Sequence, residues 1–122
     1  LNDIDKSRYK IVKSNMFAHI GSSYDYIFAN PPYIAPSDRE VEEFVLKYEP
    51  HKALFGGEDG LGFIKKFLEE ANEYLNEGGE IYMEFGIDQK ESIENILRSA
   101  GWKKFNFCQD QFGRWRYLVL SL

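Results

Sequence analysis

Asn30, Pro31, Pro32 and Tyr33 directly follow an apolar run, Tyr24–Ala29, and have the chemistry to hold a planar amino group. Ligands of open α/β sheets bind at the carboxyl ends of strands, where this run would present Asn30. The Asn side chain offers one carbonyl acceptor and two N–H donors, and each proline stiffens the bend by fixing its own φ. The segment predicts a rigid polar grip, although a plain Pro-Pro turn would use the same residues for capping and packing.

Alternating strands and helices would position this bend. The predicted strands are Tyr9–Val12, Tyr24–Ala29, Glu80–Phe85, Trp102–Cys108 and Trp115–Leu120. The run before Asn30 is mostly apolar, which predicts burial on both faces, as in a parallel sheet. The last two strands flank a turn around Asp110–Gly113 and predict a closing antiparallel hairpin.

Three helices are predicted between these strands. Ser37–Glu40 has the pattern of a capping box and would begin a short helix. Phe63–Asn76 is the clearest amphipathic pattern, and Gly78-Gly79 would end it. Asp88 would cap a third helix, which Gly101 ends and whose inward positions are Ile93, Ile96, Leu97 and Ala100. The order of elements predicts an α/β sheet.

Composition restricts the class of protein. The chain has 122 residues, 43% of them apolar, which suits one small packed domain. Its net charge of −5 gives no basic footprint for nucleic acid. A single cysteine, Cys108, excludes an intrachain disulfide and fits a reducing compartment.

His19 and His51 have no Cys or His partner at ligand spacing, so no metal site is expected. Apolar stretches stay far below the roughly 18 residues of a membrane span, and no leader peptide is recognisable. These features predict a cytoplasmic protein without membrane contact.

Four segments in order make the chain resemble the HemK/PrmC class of S-adenosylmethionine-dependent enzymes, which methylate a glutamine side-chain nitrogen of peptide-chain release factors. The segments are Tyr24–Ile34, Tyr48–Leu61, Gly78–Gly86 and Asp110–Arg116. Asn-Pro-Pro-Tyr alone is shared with adenine-N6 DNA methylases and several RNA methylases. The Tyr-Glu-Pro…Ala-Leu…Gly-Gly…Asp-Gly-Leu pattern of the second segment is therefore the specific part. The resemblance implies a Rossmann-like methyltransferase sheet, S-adenosylmethionine as cofactor and a release factor as protein substrate.

The resemblance also implies roles for single residues. Asn30 and the carbonyl of Pro31 would accept hydrogen bonds from the substrate's amide NH2, with Pro32 completing the bend and Tyr33 as an aromatic wall. Asn15 and Met16 would contact the adenine of the cofactor, which Asn30 also borders, and Asn15 stands where the family usually has an acidic residue. Glu49 would order the segment over the site.

The chemistry of the residues agrees with these roles. An amide nitrogen is a poor nucleophile because its lone pair is delocalised, so methyl transfer depends on holding that nitrogen in line with the methyl group. Two carbonyl acceptors aim the nitrogen and favour the positive charge that it gains. No strong general base is required, and Glu84 and Asp25 are expected to serve structure.

The resemblance covers residues 9–122 and implies that residues 1–122 are the carboxy-terminal half of a truncated class I methyltransferase domain. Nothing before Tyr9 supplies a Gly-rich cofactor turn, and Gly56-Gly57 does not follow a strand. Weak or absent S-adenosylmethionine binding by this chain alone is therefore expected. Tyr9–Val12 would pair with Tyr24–Ala29, pair with a second copy of the chain, or stay loose, and an exposed strand edge invites self-association.

Two other functions remain open on the sequence. A nucleic-acid methyltransferase could use the same grip on a flipped base, although the acidic balance and the second segment argue against it. A non-catalytic remnant could instead use its exposed sheet edge as an interaction module.

Overall fold

Four strands and two α-helices form the part of the chain that the computed structural model describes, which is residues 4–32 and 60–122. In chain order they are β1 (Tyr24–Ala29), α1 (Gly62–Glu70), β2 (Leu75–Glu84), α2 (Lys90–Ser99), β3 (Lys104–Gln109) and β4 (Trp115–Ser121). Short 3-10 helices cover Lys6–Arg8 and Ala71–Tyr74. The predicted helix after Ser37, together with Tyr33 and Glu49, lies outside the described residues.

The strands form one sheet in the order β1-β2-β4-β3. β1 and β2 run parallel, and α1 lies in the connection between them, as parallel neighbours require. β4 runs antiparallel to both β2 and β3, so the chain ends in a hairpin inserted beside β2. The predicted α/β sheet with a closing antiparallel hairpin is confirmed.

The hydrophobic core lies between one face of the sheet and the two helices. Each helix buries one apolar stripe, as the spacing of its residues predicts. The core comprises Ile64, Phe67, Leu68 and Ala71, then Leu75, Ile81, Met83, Phe85, Ile93, Leu97, Trp102, Leu118 and Leu120. The indole N–H of Trp102 donates to the carbonyl of Leu68 at 2.8 Å, which satisfies the one polar atom of that ring inside the core.

The prediction that β1 is buried on both faces is wrong for the described part of the chain. Tyr24, Tyr26 and Phe28 are 43%, 61% and 77% exposed, whereas Ile27 and Ala29 pack against the core. Side chains alternate along a strand, so the three aromatic rings lie on the face opposite the helices. No described helix covers that face, here called the bare face.

The predicted strand Tyr9–Val12 is also wrong. These residues lie outside the sheet, and Ile11 is 87% exposed. Direct pairing with β1 is thereby excluded in this structure. The physical reason is that these four residues have no buried face. The hydrogen bonds of one short strand pairing would stabilise them too little to specify a register.

The junction before β2 differs from the prediction as well. The helix ends at Glu70 and gives way to a 3-10 turn, and Gly78 and Gly79 lie inside β2 instead of ending the helix. The pairing shifts between Tyr24↔Leu75 and Tyr26↔Glu80, so β2 is irregular where the glycines lie. A methyl group on Gly79 would lie 2.8 Å from the carbonyl oxygen of Asp25, which explains the glycine there.

α2 begins one residue later than a cap at Asp88 predicts. Asp88 does not cap it, because the helix begins at Lys90 with Gln89 in the cap position. The end was predicted correctly: Gly101 has φ +85°, and the N–H of Trp102 reaches back to the carbonyl of Leu97 at 3.0 Å.

Candidate functional site

Three strand ends meet at one edge of the sheet, here called the carboxyl edge. Ala29, the last residue of β1, pairs with Met83 near the end of β2. The N–H of Phe85, just past β2, donates to the carbonyl of Arg116 at 3.0 Å, near the start of β4. Asn30 follows β1 directly and therefore lies at this edge, as the sequence predicts.

An open groove of about 340 Å³ runs beside Asn30. It is lined by Phe28, Ala29, Asn30, Tyr82, Met83, Glu84 and Tyr117. These residues come from β1, β2 and β4 and the bend after β1, so the sheet itself fixes their spacing. The groove combines aromatic walls with an amide, a carboxylate and two phenols, a lining that suits a planar polar group on an apolar stem.

The bend itself is partly exposed. Asn30 is exposed, whereas Pro31 and Pro32 are half-buried. No cis peptide bond occurs among the described residues, so the bend obtains its stiffness from trans prolines. Asn30 is thus accessible from solvent, and the prolines that follow it restrict the backbone of the bend. Tyr33, the predicted aromatic wall, lies outside the described residues.

The aromatic side of the groove is ordered by contacts between strands. Phe28 and Tyr82 stack with centroids 5.2 Å apart and an interplanar angle of 16°. The Tyr82 hydroxyl donates to Glu80 Oε2 at 2.9 Å, and this bond is the main cause that raises the pKa of Tyr82. A hydrogen bond with Cys108 likewise raises the pKa of Tyr117. Both phenols therefore stay protonated at neutral pH.

Gln89 anchors the segment that leads into α1, a role that the sequence did not reveal. Its Oε1 accepts from the N–H of Gly86 at 2.9 Å, and its Nε2 donates to the carbonyl of Gly60 at 3.2 Å. Gly60 is the last but one residue of the segment whose pattern was the specific part of the resemblance. In the sequence, Gln89 belongs to the Asp-Gln-Lys-Glu pattern, from which Asp88 was predicted as the helix cap. The contact between Gln89 and Gly60 could therefore be found only in the structure.

Asn15 and Met16 lie in a turn that packs elsewhere. Asn15 is exposed, and Met16, at φ 53°, packs against the core. The next residue, Phe17, stacks on Tyr74 at 4.4 Å and 9°, and Tyr74 immediately precedes β2. The turn is thus anchored at the amino end of β2, whereas Asn30 lies at the carboxyl end of β1. Contact of Asn15 and Met16 with a cofactor stays a prediction.

Two negative findings concern the described residues alone. Residues 4–32 and 60–122 contain no cluster of three or more His, Cys, Asp or Glu side chains able to hold a metal ion. Neither described α-helix has the length and apolarity needed to cross a bilayer.

Comparison with known proteins relates this geometry to methyltransferases. No family model matches the chain. This chain is 41% identical over 111 residues to the release factor glutamine methyltransferase of Streptococcus pneumoniae. The aligned region covers 89% of this chain and 40% of that protein. The enzyme of the same name from Clostridium botulinum is 37% identical over 117 residues, covering 93% of this chain and 41% of the relative.

A solved structure gives the same relation for the fold. The crystal structure of a methyltransferase from Pyrococcus furiosus superposes with a TM-score of 0.55 at 25% identity, covering 83% of this chain and 42% of that one. The described sheet is therefore part of a Rossmann-like methyltransferase fold. The chain matches release factor glutamine methyltransferases over most of its own length and spans about 40% of theirs.

Proposed function

We propose that this chain, as a match to part of the release factor glutamine methyltransferases, is the carboxy-terminal part of one catalytic domain and supplies its amide-binding bend. The observation that carries the proposal is the position of Asn30 at the carboxyl edge, beside the groove. In this view the whole protein transfers a methyl group to the side-chain nitrogen of a glutamine in a peptide-chain release factor. Because release factors work on ribosomes, we place the protein in the cytoplasm.

The bend acts by holding the acceptor nitrogen. The side-chain carbonyl of Asn30 and the backbone carbonyl of Pro31 each accept one N–H of the glutamine amide, which fixes the plane of the NH2 group. Because the amide is already oriented when it binds, its rotational freedom is not lost again in the methyl-transfer step, which lowers the barrier of that step. The two carbonyl dipoles also stabilise the positive charge that grows on nitrogen. The proton leaves to solvent after transfer, so the groove carboxylate of Glu84 need not act as base.

S-adenosylmethionine, the methyl donor in this proposal, would supply an electrophilic methyl carbon when bound. The described residues fit the glutamine amide better than S-adenosylmethionine. The groove is open beside Asn30, whereas the turn with Asn15 is anchored near Tyr74, at the opposite edge of the sheet. We therefore propose that residues 1–122 alone bind S-adenosylmethionine weakly or not at all. Micromolar binding measured by calorimetry on this chain would contradict that part of the proposal.

The substrate is tested with the full-length protein that contains this segment. Purified protein is incubated with radiolabelled S-adenosylmethionine and, in parallel, with an intact release factor, duplex DNA and ribosomal RNA. The proposal predicts label on the release factor, at a single glutamine when the product is mapped by mass spectrometry. Label on an exocyclic amino group of DNA or RNA would replace it with the nucleic-acid function, and no label anywhere would support a non-catalytic role.

A further inference from the structure

The turn between β3 and β4, residues 110–114, projects from the same edge as Asn30, and we call it the hairpin tip. β4 begins at Trp115, and Arg116 bonds to Phe85 at the end of β2. β1, the other neighbour of β2, ends at Ala29 at the same edge. The hairpin tip therefore extends past the sheet on the side where a substrate would approach the groove.

Asp110 makes the hairpin tip rigid. Its Oδ1 accepts from the backbone N–H of Phe112 at 2.8 Å and of Arg114 at 3.0 Å, and its Oδ2 accepts from Arg114 Nε at 2.9 Å. The backbone closes the turn as well, since the N–H of Asp110 donates to the carbonyl of Arg114 at 2.8 Å. Partial burial pushes the pKa of Asp110 up, but these hydrogen bonds outweigh it and hold the pKa below its ordinary value.

This rigid turn presents an aromatic ring to solvent, and cationic side chains lie beside it. Phe112 is 70% exposed, and the guanidinium of Arg114 lies 5.0 Å from its ring centroid. Arg116 lies beside them, 3.9 Å from Asp110, and Lys90 lies 5.0 Å from the ring of Trp115. A chain with net charge −5 thus carries a group of cationic and aromatic side chains at its carboxyl edge.

A mostly exposed aromatic ring on a rigid turn is typical of an interface anchor. Interface energy concentrates in aromatic and Arg side chains, and a preordered anchor loses little entropy on binding. An aromatic ring at position 112 is not needed to fold the hairpin, because the ring is mostly exposed and a polar residue could form the same turn. The exposed ring and its stacked guanidinium therefore point to a binding role.

We propose that the hairpin tip docks the protein substrate at a surface outside the methylated glutamine. Phe112 packs on an apolar patch of the partner. Asp110 holds the guanidinium of Arg114 beside that ring, and Arg116 faces a carboxylate that borders the patch. This proposal rests on the proposed function and deepens it, since it names a second contact with the same substrate. A protein partner is favoured over nucleic acid because one arginine is neutralised by Asp110 and the chain as a whole is acidic.

The test compares intact release factor with a short peptide that carries only the target glutamine and its neighbours. In the full-length enzyme, Phe112→Ala should raise KM for the intact factor about five- to tenfold with kcat nearly unchanged. Activity on the peptide should not change, because the peptide lacks the docked surface. Arg116→Gln should raise the same KM and make it less sensitive to salt.

The matched control is Leu122→Ala, which also truncates an exposed apolar side chain, just past the end of β4 and far from the hairpin tip, and should leave every constant unchanged. Unfolding curves check that each variant is folded. An unchanged KM for the intact factor in Phe112→Ala would overturn docking by the hairpin tip, and so would equal losses on factor and peptide. Failure of the unsubstituted enzyme to methylate the factor would be a different result, since it would reject the proposed function itself.

Discussion

Gly79 shows how one residue sets the spacing between two strands. Its hypothetical Cβ would lie 2.8 Å from the Asp25 carbonyl oxygen, 2.9 Å from Leu75 Cδ1 and 3.0 Å from the Asn76 carbonyl oxygen. Two of these three atoms are backbone and cannot rotate away. The close approach of β1 to β2 at this point therefore depends on a residue without a side chain.

Gly79→Ala should destabilise the fold by about 1–3 kcal/mol, since the added methyl group forces the two strands apart. Chemical denaturation of the purified chain measures this free energy of unfolding. Gly21→Ala is the matched control, because nothing lies within 4 Å of its Cβ position. Equal stability of the two variants would show that β1 and β2 are not held as closely as described.

At the same scale, the sequence was informative about Asn30 and silent about Gln89. The position of Asn30 at the carboxyl edge could be predicted because it depends on adjacent residues: an apolar run precedes it, and prolines, which restrict their neighbours in any fold, follow it. Gln89 acts on Gly60, 29 positions away, and only the folded chain brings them together. Residues whose partners are local can be predicted, and residues whose partners are distant need the structure.

Among the elements, the connection from Gly60 to β2 depends on Gln89. Gln89→Ala removes both the bond from Gly86 and the bond to Gly60. We expect a loss of about 1–2 kcal/mol in stability, since two partly buried polar groups lose their partners. Faster amide exchange at Gly86 should accompany it.

The control for this variant is Gln111→Ala, an exposed glutamine in the hairpin tip. It should change neither the unfolding free energy nor exchange at Gly86. Protection of Gly86 that stays the same in Gln89→Ala would show that the anchor is not formed in solution.

Element boundaries were predicted well where adjacent residues dictate them and poorly where pairing with a distant strand does. The strand Tyr24–Ala29 was predicted with its observed limits because a short apolar run is bounded by polar residues and prolines. β2 begins five residues earlier than predicted because Gly78 and Gly79, read as a helix stop, instead allow an irregular pairing with β1. Tyr9–Val12 has a local pattern that suits a strand, but it pairs with no other described strand. Strand pairing depends on residues far away in the sequence, so the local pattern could not predict it.

For the whole molecule, the bare face and the edge strand are the main consequences of the described architecture. β1 ends the sheet order, so its outer edge has no strand partner within the described residues. Its exposed rings, Tyr24, Tyr26 and Phe28, adjoin that edge. Large exposed apolar patches are rare on monomers, and open strand edges invite pairing.

We therefore expect the purified 122-residue chain to self-associate through β1. Sedimentation velocity over a range of concentrations should show dimers or larger species. Tyr26→Lys should shift the distribution towards monomer, because a lysine on an edge strand opposes pairing. Asn95→Lys, which adds the same charge at an exposed position of α2, is the control. A chain that is monomeric at all concentrations would exclude self-association.

The central claim is that Asn30 holds the acceptor amide during methyl transfer. Single-turnover transfer from S-adenosylmethionine to an intact release factor, measured in the full-length protein, tests it most directly. Asn30→Ala should lower the rate about 100-fold or more with cofactor affinity changed only a few-fold, as expected when one preorganised polar contact is removed. Asn95→Ala should leave the rate unchanged. A rate for Asn30→Ala equal to that of the unsubstituted protein would contradict the account.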